Sequence, residues 1–150
     1  MQQRLSHFKK YFQGLWQIDR VIENARGEKC GSMQGLARIT AVSKQQLYYQ
    51  ESLRHRLEQG AFLDAHQSYL FELRNSSLKI YFPSREKLCH TLFLDLFFDA
   101  EGKAAASHLC DQDLYLAHFH LIDAQHWKMI YHVEGPTKTY SIKSDLTRID

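Results

Sequence analysis

From Gly14 to the C-terminus the sequence "GLWQIDRVI…SDLTRID" alternates apolar and polar residues with a period of two, and no helical periodicity interrupts it. This is the feature that most restricts the fold. Trp16, Ile18, Arg20 and Ile22 share one face of the first run, and Met33, Gly35, Ala37 and Ile39 share one face of the second. Leu47, Tyr49, Glu51 and Leu53 follow, then Ala65, Gln67, Tyr69, Phe71 and Leu73. "LKIYF" is a short strand closed by Pro83, and "KLCHTLFLDLFF" aligns Leu88, His90, Leu92 and Leu94. "AAASHLC", "LYLAHFHLI", "HWKMIYHVE" and "TYSIKSDLTR" complete about ten strands, separated by turn signals such as "NARGEKCG", "DAEGK" and "GPTK".

Ahead of these strands, Leu5, Phe8 and Phe12 form one helical stripe that Gly14 ends. The pattern predicts a single domain over residues 1–150, with a helix over about 3–13 and strands over about 15–148. The expected fold is all-β, an antiparallel up-and-down barrel of about ten strands whose short N-terminal helix closes one end. Closure removes the exposed sheet edges that invite aggregation. The 13% aromatic content suits half-buried pleated surfaces.

The remaining composition excludes several classes. A formal charge of +2 with scattered Lys and Arg argues against nucleic acid. No run approaches a membrane span, and the charged N-terminus does not read as a secretion signal. Cys30, Cys89 and Cys110 are an odd number with no CxxC pair, as expected of a reduced, cytoplasmic protein, monomer or homodimer.

Alternation also assigns what faces the lumen. The inward set includes Arg20, Glu51, Gln67, His90, His108 and Lys138, with Tyr49, Tyr69, Tyr115, Tyr131 and Tyr140. Buried charge is costly unless paired, so two explanations compete. Arg20 and Lys138 pair with Glu51 and Asp113 in a structural network, or they anchor the acidic group of a small, partly polar ligand. The accompanying phenols favour a ligand, because tyrosine offers an apolar wall and an orienting hydroxyl. The expected binding set is Arg20, Tyr49, Glu51, Tyr69, His108, Asp113, Tyr115, Lys138 and Tyr140.

"SHLCDQDLYLAHFH" (Ser107–His120) concentrates histidines, a cysteine and aspartates, yet lacks the ligand spacing of a metal site. It reads as two strands and their turn, with His108, Asp113 and Tyr115 inward and His118 and His120 outward. A Cys110–His108 nucleophile has no glycine-rich elbow to supply an oxyanion hole. Lumenal acids and bases, His108 and Asp113 above all, are also the parts of a small-molecule lyase or isomerase. No cofactor is required. Haem on a single axial His90 or His108 is a lesser alternative to a packed core histidine.

Four motifs in order, "GLWQIDRVI", "LYYQES", "HLCDQDLY" (H-x-C-x-x-D-x-Y) and "EGPTKTY" (G-P-x-K-x-Y), resemble an uncharacterised bacterial family of lipocalin-like, calycin-type barrels. The resemblance covers nearly the whole chain after Gly14. It implies a barrel with a polar interior and no assigned activity. The matching positions are Trp16, Arg20, Tyr49, Glu51, His108, Cys110, Asp113, Tyr115, Gly135, Pro136, Lys138 and Tyr140. Ser52 and Thr137 depart from the family pattern, which has a glycine and a basic residue there.

Overall fold

A computed structural model describes residues 2–56, 60–75, 77–83 and 91–150, with helix side chains from His7 onward. The expected lumenal position His90, with Leu88 and Cys89, lies outside the described residues, as does the Leu5 side chain. Helix α1 (Gln2–Phe12) precedes ten strands: β1 (Gly14–Asn24), β2 (Lys29–Ala41), β3 (Gln46–Arg56), β4 (Phe62–Arg74) and β5 (Ser77–Phe82), then β6 (Thr91–Phe97), β7 (Lys103–Cys110), β8 (Asp113–Asp123), β9 (His126–Glu134) and β10 (Thr139–Arg148). All pairings are antiparallel, in the order β6-β5-β4-β3-β2-β1-β10-β9-β8-β7.

The β1–β10 ladder, from Trp16↔Arg148 to Asn24↔Tyr140, joins the two ends of the chain into one curved sheet. β6 and β7 then lie side by side without a ladder among the described residues, so the barrel is nearly closed. No described helix is long and apolar enough to cross a membrane.

The alternation holds on most strands. Trp16 and Ile18, Ala37 and Ile39, Leu47, Tyr49 and Leu53, and Trp127, Met129 and Val133 are all buried at the expected phase. It fails on β6. There the register passes from Ile80↔Leu94 to Tyr81↔Leu92, which leaves Phe93 as an extra, bulged residue. Phe93 turns inward at 5% exposure, while Leu92, expected inside, is 41% exposed.

Gly14 ends α1 with φ +137°, a backbone value that glycine adopts freely. A Cβ there would also stand 2.7 Å from the Arg148 guanidinium. The helix packs across the barrel end through Phe8 and the fully buried Phe12, whose ring meets Phe71 and Trp127 edge-on. Burying such a ring stabilises by about 1.5–3 kcal/mol. The Trp16 indole N–H donates to the Phe12 carbonyl at 2.9 Å, and Tyr11 donates to the Asp123 carbonyl at 2.7 Å. Arg148 lies 4.2 Å over the Trp16 ring and donates to the Gln13 and Tyr11 carbonyls, satisfying the last turn of the helix. The Trp127 N–H, buried among the rings of Phe12, Trp16 and Phe119, makes no hydrogen bond among the described residues.

Candidate functional site

Beyond this aromatic plug the interior becomes polar. Arg20 of β1 and Glu51 of β3 form a two-pronged ion pair, Nη1 to Oε2 at 2.7 Å and Nη2 to Oε1 at 3.0 Å. Their side chains are 13% and 6% exposed. The two strands are not neighbours, because β2 runs between them. In the ladders Arg20 is opposite Met33 and Glu51 is opposite Ala37, so the pair passes over β2 beside Gly35. A Cβ at Gly35 would fall 2.0 Å from the Ser52 carbonyl oxygen, so only glycine permits this close approach of β2 to β3.

Two further side chains complete the cluster. Arg20 Nε donates to Ser144 Oγ at 2.7 Å, directly across the β1–β10 ladder. The Tyr49 hydroxyl donates to Glu51 Oε1 at 2.7 Å. Burial works against the Arg20 charge, but the hydrogen bond and charge of Glu51 outweigh it and raise the guanidinium pKa. Desolvation, then the Glu51 charge, pushes the Tyr49 phenol far above its usual range.

Next to this pair is a cavity of about 230 Å³, lined by Arg20, Glu51, Ala65, Gln67, Tyr69, Phe93, Tyr115, Met129, Tyr131 and Ile142 among others. Its rings are ordered. Tyr69 and Tyr131 both lie near-parallel to Phe93, at 15° and 16° with centroids 5.9 Å away, and Tyr115 meets Phe93 edge-on at 81°. Burial is the first cause holding the Tyr69 and Tyr131 phenols above their ordinary pKa, with Glu51 adding to it in both. Tyr115 is raised by burial and then by the Tyr140 phenol beside it. At neutral pH these are protonated hydroxyls. Those of Tyr69 and Tyr131 make no hydrogen bond to protein among the described residues.

The expected site residues therefore separate into three groups. Arg20, Glu51, Tyr69 and Tyr115 line the cavity, and Tyr49 stands behind them at 1% exposure, holding Glu51. His108 lies behind Phe93, edge-on at 5.3 Å, and is not part of the lining. Asp113, Lys138 and Tyr140 sit at the open rim.

Lys138 corrects the lumenal assignment. It ends the turn that precedes β10, the Gly135 N–H bonds its carbonyl at 2.8 Å, and its side chain is 50% exposed. It is in phase with Tyr140 and Ile142 but precedes the first residue of β10, so parity gives its face and not its depth. Lys138 Nζ lies 3.6 Å from Asp113 Oδ2 and 5.8 Å from the Tyr140 ring centre. A Cβ at Gly135 would meet Asp113 Oδ1 at 2.0 Å. The H-x-C-x-x-D-x-Y and G-P-x-K-x-Y motifs thus meet physically at one corner of the mouth.

Gln67 is in the expected phase but exposed, because β4 pairs with β5 only from Leu70 onward and its first half stands at the opening. In "SHLCDQDLYLAHFH" the turn is Asp111–Gln112, with Asp111 at φ +54°, while Cys110 and His118 are exposed. Among the described residues no three His, Cys, Asp or Glu side chains converge as metal ligands. The reading of sequence left Phe93, Met129, Ile142 and Ser144 out of the site. Alternation does mark the last three as inward, and Tyr131 with them, whereas the bulge hid Phe93.

No curated protein matches the chain by sequence. Among solved structures, the S-type phycobiliprotein lyase of Guillardia theta superposes with a TM-score of 0.71 at 10% identity, over 98% of this chain and 93% of that one. A protein of unknown function from the DUF3598 family of Nostoc punctiforme gives 0.66 at 13% identity, over 94% of this chain and 49% of that one. This chain thus spans about half the length of the second. At these identities the likeness is one of fold, and the fold is a calycin-like barrel. The sequence pattern of DUF6314, a family of unknown function, matches residues 12–148, and the chain belongs to that family.

Proposed function

We propose that the barrel binds one small, partly polar molecule in the chamber beside Arg20 and Glu51. The observation that carries this reading is a cavity beside the Arg20–Glu51 pair lined by Tyr69 and Tyr131, whose hydroxyls have no protein partner among the described residues. Each hydroxyl can donate to or accept from a ligand's polar group in place of water. The volume of about 230 Å³ lies below the roughly 300–1,000 Å³ typical of drug-sized pockets, so the ligand is compact. Exposed free thiols at Cys30 and Cys110 fit a reducing, cytoplasmic setting.

A lyase or isomerase would need its acid and base to converge. His108 is packed against Phe93 and Asp113 is paired with Lys138, with no bond joining His108 to Asp113 among the described residues. The geometry therefore favours binding over acid–base turnover.

Native mass spectrometry of freshly purified protein, compared with the denatured mass and accompanied by an absorbance scan, tests the reading. The expected result is extra mass that departs on denaturation and is lost in a Tyr69→Phe/Tyr131→Phe double variant. A bare mass, together with no thermal shift across a library of small polar aromatics, would overturn it. A Soret band would replace it with a haem reading centred on His108.

A further inference from the structure

The charges and rings of the chamber narrow what it accepts, given that it is a binding site as proposed above. Arg20 and Glu51 neutralise each other through two hydrogen bonds, and Ser144 and Tyr49 occupy further positions on them. The one acid and the one guanidinium that line the chamber thus cancel with nothing bound, and the remaining ionisable side chain of the lining apart from the phenols, His66, is exposed at the opening. Lys138, the second cation expected to receive an acidic group, stands half exposed at the mouth and is opposed by Asp113. A ligand carrying a net charge inward would find no unspent counter-charge on the buried pair.

The walls add a shape. Tyr69, Phe93 and Tyr131 present near-parallel rings, and flat walls of this kind favour an offset-stacked or edge-on aromatic guest. The Tyr69 and Tyr131 hydroxyls can each donate or accept a hydrogen bond. We infer that the chamber selects an uncharged planar ring bearing one small hydrogen-bonding substituent, such as a carbonyl or carboxamide, in preference to an acid or an amine.

Benzamide, benzoate and benzamidinium share a shape and differ in charge, which makes them the probes of choice. Ligand-observed NMR titration at neutral pH is expected to show benzamide binding at least tenfold more tightly than either ion. Tyr69→Phe and Tyr131→Phe should each weaken benzamide several-fold, while Tyr48→Phe, at the opposite phase of β3, should leave it unchanged. Benzoate or benzamidinium binding as tightly as benzamide would overturn the inferred selectivity and leave the chamber a binding site. Benzamide binding that ignores both phenol substitutions would overturn its placement here. Failure of all three probes to bind would overturn this inference and, with a bare native mass, the proposed function as well.

Discussion

At the helix end of the barrel the inward side chains are Phe12, Trp16, Phe119 and Trp127, all essentially inaccessible. Farther from the helix they are Arg20, Glu51, Tyr69 and Tyr131, around an open chamber. Both halves obey one alternation rule, and strand geometry does not distinguish them. Their polar atoms do. Around the plug, Tyr11, Trp16 and Arg148 give their hydrogen bonds to backbone carbonyls and so fasten the helix to the strands. In the chamber, charges are satisfied by side chains from several strands and two hydroxyls are left for something else. One end is built for stability, and the other keeps capacity in reserve.

Substitutions in the two regions should behave differently. Phe12→Ala removes a fully buried ring from the plug and should cost about 3–5 kcal/mol, read as a lowered urea midpoint, with chamber binding retained once the protein is folded. Glu51→Gln strands the Arg20 charge and should also cost about 3–5 kcal/mol. Replacing both partners, Arg20→Leu with Glu51→Leu, should recover most of that loss. If the double variant is no more stable than the single, the pair is not an isolated electrostatic unit.

Alkaline pH should probe both regions together. Tyr11, Tyr49, Tyr69 and Tyr131 have folded-state pKa values raised above the ordinary value of 10.0. Below pH 10 both folded and unfolded states hold these protons. Above it the unfolded chain releases them and the folded one does not, so stability falls as pH rises. The slope approaches about 1.4 kcal/mol per pH unit for each of the three chamber phenols well above pH 10, and is smaller for the half-exposed Tyr11. Urea midpoints between pH 9 and 11 measure it, and tyrosinate absorbance should lag until unfolding. The smallest effect is expected at the rim. Lys138→Ala breaks a pair that is half in solvent and should change stability by no more than about 1 kcal/mol.

Much of this was legible in the sequence because a barrel converts parity into position. Arg20, Tyr49, Glu51, Tyr69 and Tyr115 could be assigned to the interior by counting in twos, and Gly14 as the stop of the helix by its type. Parity fails where the pleat fails. Phe93 was missed because a bulge inserts one residue into β6, and neither "TLFLDLFF" nor any local composition marks which residue it is. Lys138 keeps the parity of Tyr140 and Ile142 but lies ahead of β10, and parity does not report depth. The pairing of Arg20 with Glu51 and of Lys138 with Asp113 was one of the two readings the sequence offered, whereas the part of Ser144 was illegible, since it depends on a strand remote in sequence. Arg20 finds Ser144 and Glu51 from opposite sides.

The absent side chain at Gly35 carries a last consequence. The guanidinium–carboxylate pair bridges β1 and β3 across β2, a span of about 9–10 Å between strand axes. With Ser144 it becomes a cross-brace over four consecutive strands, β10, β1, β2 and β3. Widening the barrel at this level would stretch that brace, and narrowing it would drive β2 into the Ser52 carbonyl. The girth of the chamber is therefore held from both sides, and a guest must suit a bore set before it arrives.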